Sequence, residues 1–61
     1  MEMALVKKEG KVWTRFKINK KDKDNWIVYL YAKFGIDIKK PVKENSKFIY
    51  FEKEGDLLNG K

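Results

Sequence analysis

Polar and apolar residues alternate most regularly between Lys11 and Ile18. Val12, Thr14, Phe16 and Ile18 fall on one side, and Trp13, Arg15 and Lys17 on the other. A two-residue period rich in β-branched and aromatic side chains predicts a strand. The mildly apolar run Ala4–Lys8 comes before it and ends at Glu9-Gly10, a hairpin turn signal. Asn19–Asn25 is wholly polar and reads as an exposed, charged loop. Ile36–Val42 contains Pro41, which cannot donate to a ladder, so any strand there is short or at an edge. Glu44-Asn45-Ser46 is a turn. Lys47–Lys53 is a further strand, with Phe48 and Tyr50 on one face and Ile49 and Phe51 on the other. Apolar residues on both faces suit a central or doubly covered position. Glu54-Gly55-Asp56 breaks that strand. Leu57-Leu58 is expected to pack a short turn onto the core, and Asn59-Gly60-Lys61 to fray.

Trp26–Phe34 fits two periods. As a strand it puts Trp26, Val28, Leu30, Ala32 and Phe34 on one face and Ile27, Tyr29, Tyr31 and Lys33 on the other. As a helix it turns Ile27, Leu30, Tyr31 and Phe34 inward, with Asp22 or Asp24 as N-cap and Gly35 just past its end. The run Trp-Ile-Val-Tyr-Leu-Tyr has strong β propensity, which favours the strand. The expected fold is therefore mainly β: a small antiparallel sheet of four to five strands, curled into an SH3-like half-open barrel. The alternative is α+β, in ββαβ order, with a helix at about 24–34. Residues 1–61 read as a single small basic domain.

Composition narrows the function. The 61 residues carry 15 Lys+Arg against 9 Asp+Glu, a net charge of +6, with no Cys and no His. That excludes a disulfide framework, Cys-bound zinc, a thiol nucleophile and any Ser-His dyad. A domain of this size buries only about 60% of its unfolded surface, which leaves little room for a deep catalytic pocket. The expectation is a binding module, not an enzyme, with no cofactor and no small-molecule substrate. Arg15 is the single arginine, Gln is absent, and Lys and Glu abound. This is the bias of thermophile proteins and hints at an archaeal source. Met1-Glu2-Met3-Ala4 is not a basic n-region followed by an apolar stretch, and the longest nearly apolar run, Trp26–Ala32, is too short to span a bilayer. The expected location is the cytoplasm, associated with nucleoid or ribosome, with no membrane contact.

The charge is uneven. Residues 1–35 hold nine cations and four anions, or +5, and residues 36–61 hold six cations and five anions, or +1. The positive field thus belongs to the first hairpin, its loop and the next element. Lys11, Trp13, Arg15 and Lys17 share one face of the second strand. Lys20, Lys21 and Lys23 occupy the loop. If Trp26–Phe34 pairs beside that strand, Tyr29, Tyr31 and Lys33 join the same surface. Cations interleaved with aromatics suit nucleic acid: the cations neutralise phosphates and release counterions, and the rings stack on or wedge against bases. Lysine in place of arginine favours backbone contact over base reading. The competing reading makes Trp13, Tyr29 and Tyr31 the cover of a second small core or a dimer interface, and the loop lysines a solvated surface. Asp22-x-Asp24-Asn25 offers oxygen ligands but lacks the glycine and distal glutamate of a calcium loop. Glu52, Glu54 and Asp56 could be sought as an acid/base set, but no pocket is evident around them.

Lys11-Val12-Trp13, early in a basic chain of this size, resembles the small basic SH3-like chromatin proteins of hyperthermophilic crenarchaea. The resemblance implies a β domain that binds duplex DNA across a sheet, in the minor groove, with little sequence preference. It implies that Trp13 contacts DNA, with Arg15 close by. The apolar wedge residues of that family have no clear counterpart here, and a C-terminal helix has no room after Gly55. The leading expectation is a nucleic-acid-binding protein, DNA favoured over RNA, chromatin-like or viral. The alternatives are a small ribosomal or ribosome-associated RNA-binding protein and a protein-interaction or regulatory module. An exposed strand edge leaves a homodimer open.

Overall fold

The computed structural model describes residues 1–59. Strands β1 (Glu2–Lys8) and β2 (Lys11–Asn19) form a hairpin; a 3₁₀ turn (Lys20–Asp22) leads into helix α1 (Lys23–Phe34); β3 (Lys43–Glu44) and β4 (Phe48–Glu54) follow. All pairings are antiparallel and the sheet order is β1-β2-β4-β3. The molecule is thus a mainly β domain with one short helix, as the strand pattern predicts.

The hairpin closes through Glu9 and Gly10, both in the left-handed region at φ 53° and 75°. Positive φ at both central residues matches the right-handed twist of the strands, but glutamate is a poor choice for it. Glu9→Asn is expected to stabilise the domain by about 0.5–1 kcal/mol, because asparagine tolerates this region better. Thermal unfolding followed by circular dichroism checks it, as a rise in Tm of a few degrees.

Directly paired residues in a sheet share a face. Met3, Phe16 and Phe51 form one cross-strand row and Ile18 pairs with Ile49 on the same face. Phe16, Ile18, Leu30, Ile36, Ile49 and Phe51 are buried, with Met3, Trp26, Phe34 and Leu57 packed around them. The Phe16 and Phe34 rings lie 5.3 Å apart. This inner face is what α1 covers. Thr14 is also fully buried, and its hydroxyl is satisfied twice: it donates to the Gly55 carbonyl at 2.7 Å and accepts from Leu57 N–H at 2.9 Å. That bond pair fastens the turn after β4 to the core, as the Leu57-Leu58 pattern suggests, with Leu57 half-buried and Leu58 exposed.

Trp26–Phe34 is helical, which corrects the strand expected from propensity and selects the alternative. The reason is tertiary. A three-strand apolar face needs a cover, and residues at i, i+4 and i+8 (Trp26, Leu30, Phe34) supply one from a single helical stripe while the backbone satisfies itself. Burial of that stripe outweighs a weak local preference. The helix ends as expected at Gly35, with φ 67° and its N–H donating to the Tyr31 carbonyl at 3.0 Å. Asp22 sits at the N-cap position but makes no side-chain cap bond. Tyr31, expected inside on the helical reading, is 65% exposed, and Trp26 takes its place.

Other boundaries follow the sequence closely. The polar stretch Asn19–Asn25, expected as an exposed loop, is regular throughout: Asn19 ends β2, Lys20–Asp22 is the 3₁₀ turn and residues 23–25 are the first turn of α1. Pro41 precedes a two-residue edge strand. Asn45 builds the expected turn, its Oδ1 accepting from Lys47 N–H and Phe48 N–H at 2.9 and 2.8 Å. β4 lies in the interior of the sheet between β2 and β3. Asn59 is held by Asp56, through both backbone and side-chain donors, where fraying was expected. Gly60 and Lys61 lie outside the described residues. No helix among the described residues is long and apolar enough to cross a membrane.

Candidate nucleic-acid interface

The outer face of the sheet follows from register. Val6, Trp13 and Glu54 form one cross-strand row; Ala4, Arg15 and Glu52 the next; Glu2, Lys17, Tyr50 and Lys43 the third. Lys8 and Lys11 close the hairpin end of the same face, and Asn19 and Phe48 the far end. Since α1 packs on the Phe16 side, no element of the described chain covers this face. It displays Lys8, Lys11, Arg15, Lys17 and Lys43 around Trp13 and Tyr50.

Its centre is a charge cluster. The Glu52 side chain is 1% exposed, although it belongs to the solvent side of the sheet. Arg15 donates to Glu52 Oε2 through Nε at 2.7 Å, with a second guanidinium nitrogen 2.6 Å from the same oxygen. Lys8 Nζ binds Glu52 Oε1. Burial pushes the Glu52 carboxyl up, but hydrogen bonds from Lys8 and Arg15, and their charges, outweigh it and hold the group below its ordinary 4.5. A carboxylate held low in the folded state adds stability above its unfolded pKa, and that stability is lost as pH falls through the folded value. Wild type is therefore expected to lose stability from about pH 5 downward, while Glu52→Gln shows a flatter acid limb. At neutral pH that substitution is expected to cost about 1–2 kcal/mol, the solvent exposure of Lys8 and Arg15 moderating the loss. Urea midpoints from pH 3 to pH 7 test both statements.

The cluster sorts the cations of the face. Lys8 and Arg15 are committed to Glu52. Lys11 is only loosely paired, at 3.7 Å from Glu54. Lys17 and Lys43 stand over rings instead, 4.2 Å from the Phe48 centroid and 5.7 Å from that of Tyr50. Lys11, Lys17 and Lys43 are the ammonium groups of this face with the weakest internal claims. Trp13 is half-buried, with Lys8 Nζ 5.0 Å above its ring. Its indole N–H is buried without a hydrogen-bond partner among the described residues. A buried donor left unsatisfied carries a cost that an incoming acceptor can relieve if the ring turns toward it.

The residues expected to form the site therefore divide into three groups. Lys11, Trp13, Arg15 and Lys17 stand together on the outer face. Lys20 and Lys21 lie in the 3₁₀ turn and Lys23 opens α1, all at the far end of β2. Tyr29, Tyr31 and Lys33 do not join Trp13. They ride on α1, on the opposite side of the sheet, because the segment is a helix. Tyr29 packs edge-on against Trp26 and Phe34 at 5.5 and 6.1 Å, with Lys33 over its ring at 5.3 Å. Lys8, Lys43, Phe48 and Tyr50 belong to the face without being singled out by the sequence, and Glu52, which also belongs to it, is weighed there only as one of an acid/base set. The Phe48-x-Tyr50-x-Glu52 alternation was visible, but the pairing of β4 beside β2 was not.

Beyond the sheet, a shallow cavity of about 260 Å³ lies between the 3₁₀ turn and the turn before β4, lined by Asn19, Lys20, Lys21, Ser46 and Lys47. Lys20 Nζ is 2.6 Å from Glu44 Oε2. That hydrogen bond, and then the Lys20 charge, hold the Glu44 carboxyl below its ordinary range. Among the described residues no group of three or more His, Cys, Asp or Glu side chains is placed to hold a metal ion together. Comparison of the chain with protein-family models, with curated proteins and with solved structures returns no match.

Proposed function

We propose that this protein binds nucleic acid across the outer face of its sheet, with duplex DNA as the favoured ligand and little sequence preference. The observation that carries the reading is the uncovered face itself: Trp13 one row from the Glu52 cluster at its centre, and Lys11, Lys17 and Lys43 on the same face with ammonium groups not locked into tight ion pairs. Phosphates are drawn by those lysines through charge and counterion release. Trp13 offers a ring to bases or sugars, as an aromatic on a basic sheet does in both single-strand and minor-groove binding. Arg15, the one side chain suited to bidentate reading of guanine, is occupied by Glu52. That supports weak sequence preference, because the remaining cations are point charges. An uncovered sheet face also suits a long polyanion better than a small substrate, which needs a concave site.

Competition at fixed salt among a mixed-sequence duplex, the matching single strand and a structured RNA hairpin tests the choice of ligand. The duplex is expected to displace the others at lower concentration, and two unrelated duplex sequences to compete within a few-fold of each other. Preference for the hairpin would move the reading to ribosome-associated RNA. Failure of all three at low salt would leave a protein-interaction module.

A further inference from the structure

We infer that the cavity between the 3₁₀ turn and the β4 turn seats a backbone phosphate of the nucleic acid that lies on the outer face. This rests on the reading proposed above and adds a second, separate contact to it. Three of the five lining residues are lysines, and the other two, Asn19 and Ser46, bring an amide and a hydroxyl. No carboxylate lines it. Glu44, beside it, is engaged with Lys20. Lys21 and Lys47 are exposed and make no ion pair among the described residues. Two uncompensated ammonium groups bordering one cavity repel each other, and a dianionic or monoanionic oxygen cluster between them removes that repulsion.

The walls are fixed in advance. Lys20 N–H donates to the Lys47 carbonyl at 2.9 Å, tying the two segments together. Asn19 Oδ1 accepts from Lys21 N–H at 2.9 Å, and Asn45 Oδ1 accepts from Lys47 N–H at 2.9 Å. The lysine stems therefore start from backbone held on both sides, and less order is lost when an anion binds. Position connects the cavity to the sheet. Asn19 has the same strand parity as Trp13, Arg15 and Lys17, so the cavity stands at the end of their row. At about 3.3 Å per residue it lies roughly 20 Å from Trp13, within reach of one continuous strand of nucleic acid.

The test compares three proteins on one duplex: wild type, the double variant Lys21→Gln/Lys47→Gln, and a control, Lys39→Gln/Lys53→Gln, that loses the same charge elsewhere. The readout is the slope of log K against log[salt]. Loss of one phosphate contact is expected to flatten the slope by about 0.9 in the cavity variant. The control should change it by clearly less, and the Tm of the cavity variant should equal or exceed that of wild type. Equal slopes in wild type and cavity variant, or an equal change in the control, would overturn the inference while leaving the sheet reading intact. Absence of duplex binding by wild type would remove both. Inorganic phosphate added without DNA gives the remaining arm: if it shifts the amide resonances of Lys21, Ser46 and Lys47 while the variant's DNA slope is unchanged, the cavity holds a free anion and the phosphodiester assignment fails.

Discussion

Phe16→Ala is expected to remove about 3–5 kcal/mol of unfolding free energy. A chain of this length has roughly 3–9 kcal/mol in total, so the variant should be largely unfolded at 37 °C. The ring is fully buried and sits where every layer of the structure meets. Met3 and Phe51 flank it across the sheet, and Phe34 of α1 lies 5.3 Å above it. Its removal opens a cavity that neither strand can close without breaking register, and it takes away the ring contact that seats the helix. Urea denaturation followed by far-ultraviolet circular dichroism measures the loss. Tyr31→Ala is the companion: with Tyr31 65% exposed on the outer side of α1, a change within about 0.5 kcal/mol is expected. Similar losses at the two positions would mean that the helix packs the other way round.

Trp13→Ala is expected to weaken duplex binding roughly 5- to 150-fold, the range for removing one aromatic ring from a nucleic-acid surface. The fold should survive. Trp13 belongs to the outer face, its cross-strand neighbours are Val6 and Glu54, and it is no part of the buried cluster around Phe16. Its contact with Lys8 is through the ring face, and Lys8 keeps Glu52 when the ring is gone. The salt slope should stay close to that of wild type, since no cation is removed. Affinity by fluorescence anisotropy, together with Tm, separates the two roles of this residue. A drop in Tm with unchanged affinity would make Trp13 a structural cover for the sheet and would take away the aromatic centre of the proposed interface.

Much of the fold was legible because it depends on local pattern. The β2 alternation, the Glu9-Gly10 turn, the Asn45 turn, the edge position after Pro41 and the Gly35 stop are all written in short windows. Trp26–Phe34 was not, because Trp26, Leu30 and Phe34 lie on one side under either period, and only the need to cover the sheet decides between them. That single assignment also governed three of the ten candidate residues. With the segment helical, Tyr29, Tyr31 and Lys33 move to the far side of the sheet, while Lys11, Trp13, Arg15 and Lys17 keep their common face. The Glu52 cluster was illegible for a different reason. It joins Lys8, Arg15 and Glu52 from three strands, and nothing in the sequence states that β4 lies beside β2. The same holds for the cavity, which needs Lys20 and Lys21 brought against Lys47.

The Glu52 cluster also changes how the net charge is read. Two cations of the first hairpin share one carboxylate within the sheet, which leaves that cluster at +1 but engages its donors, so the ammonium groups open to phosphate on this face are Lys11, Lys17 and Lys43, the last from the half of the chain with little net charge. The measurement that tests the account most directly is therefore the affinity of the wild-type protein for a mixed-sequence duplex, by fluorescence anisotropy from 50 to 200 mM salt. With about four phosphates neutralised, three by those lysines and one in the cavity, log K should fall with log[salt] at a slope near −3.6, roughly a 150-fold loss across the range. A slope near zero, or no binding at 50 mM salt, would contradict the assignment of the outer sheet face to nucleic acid.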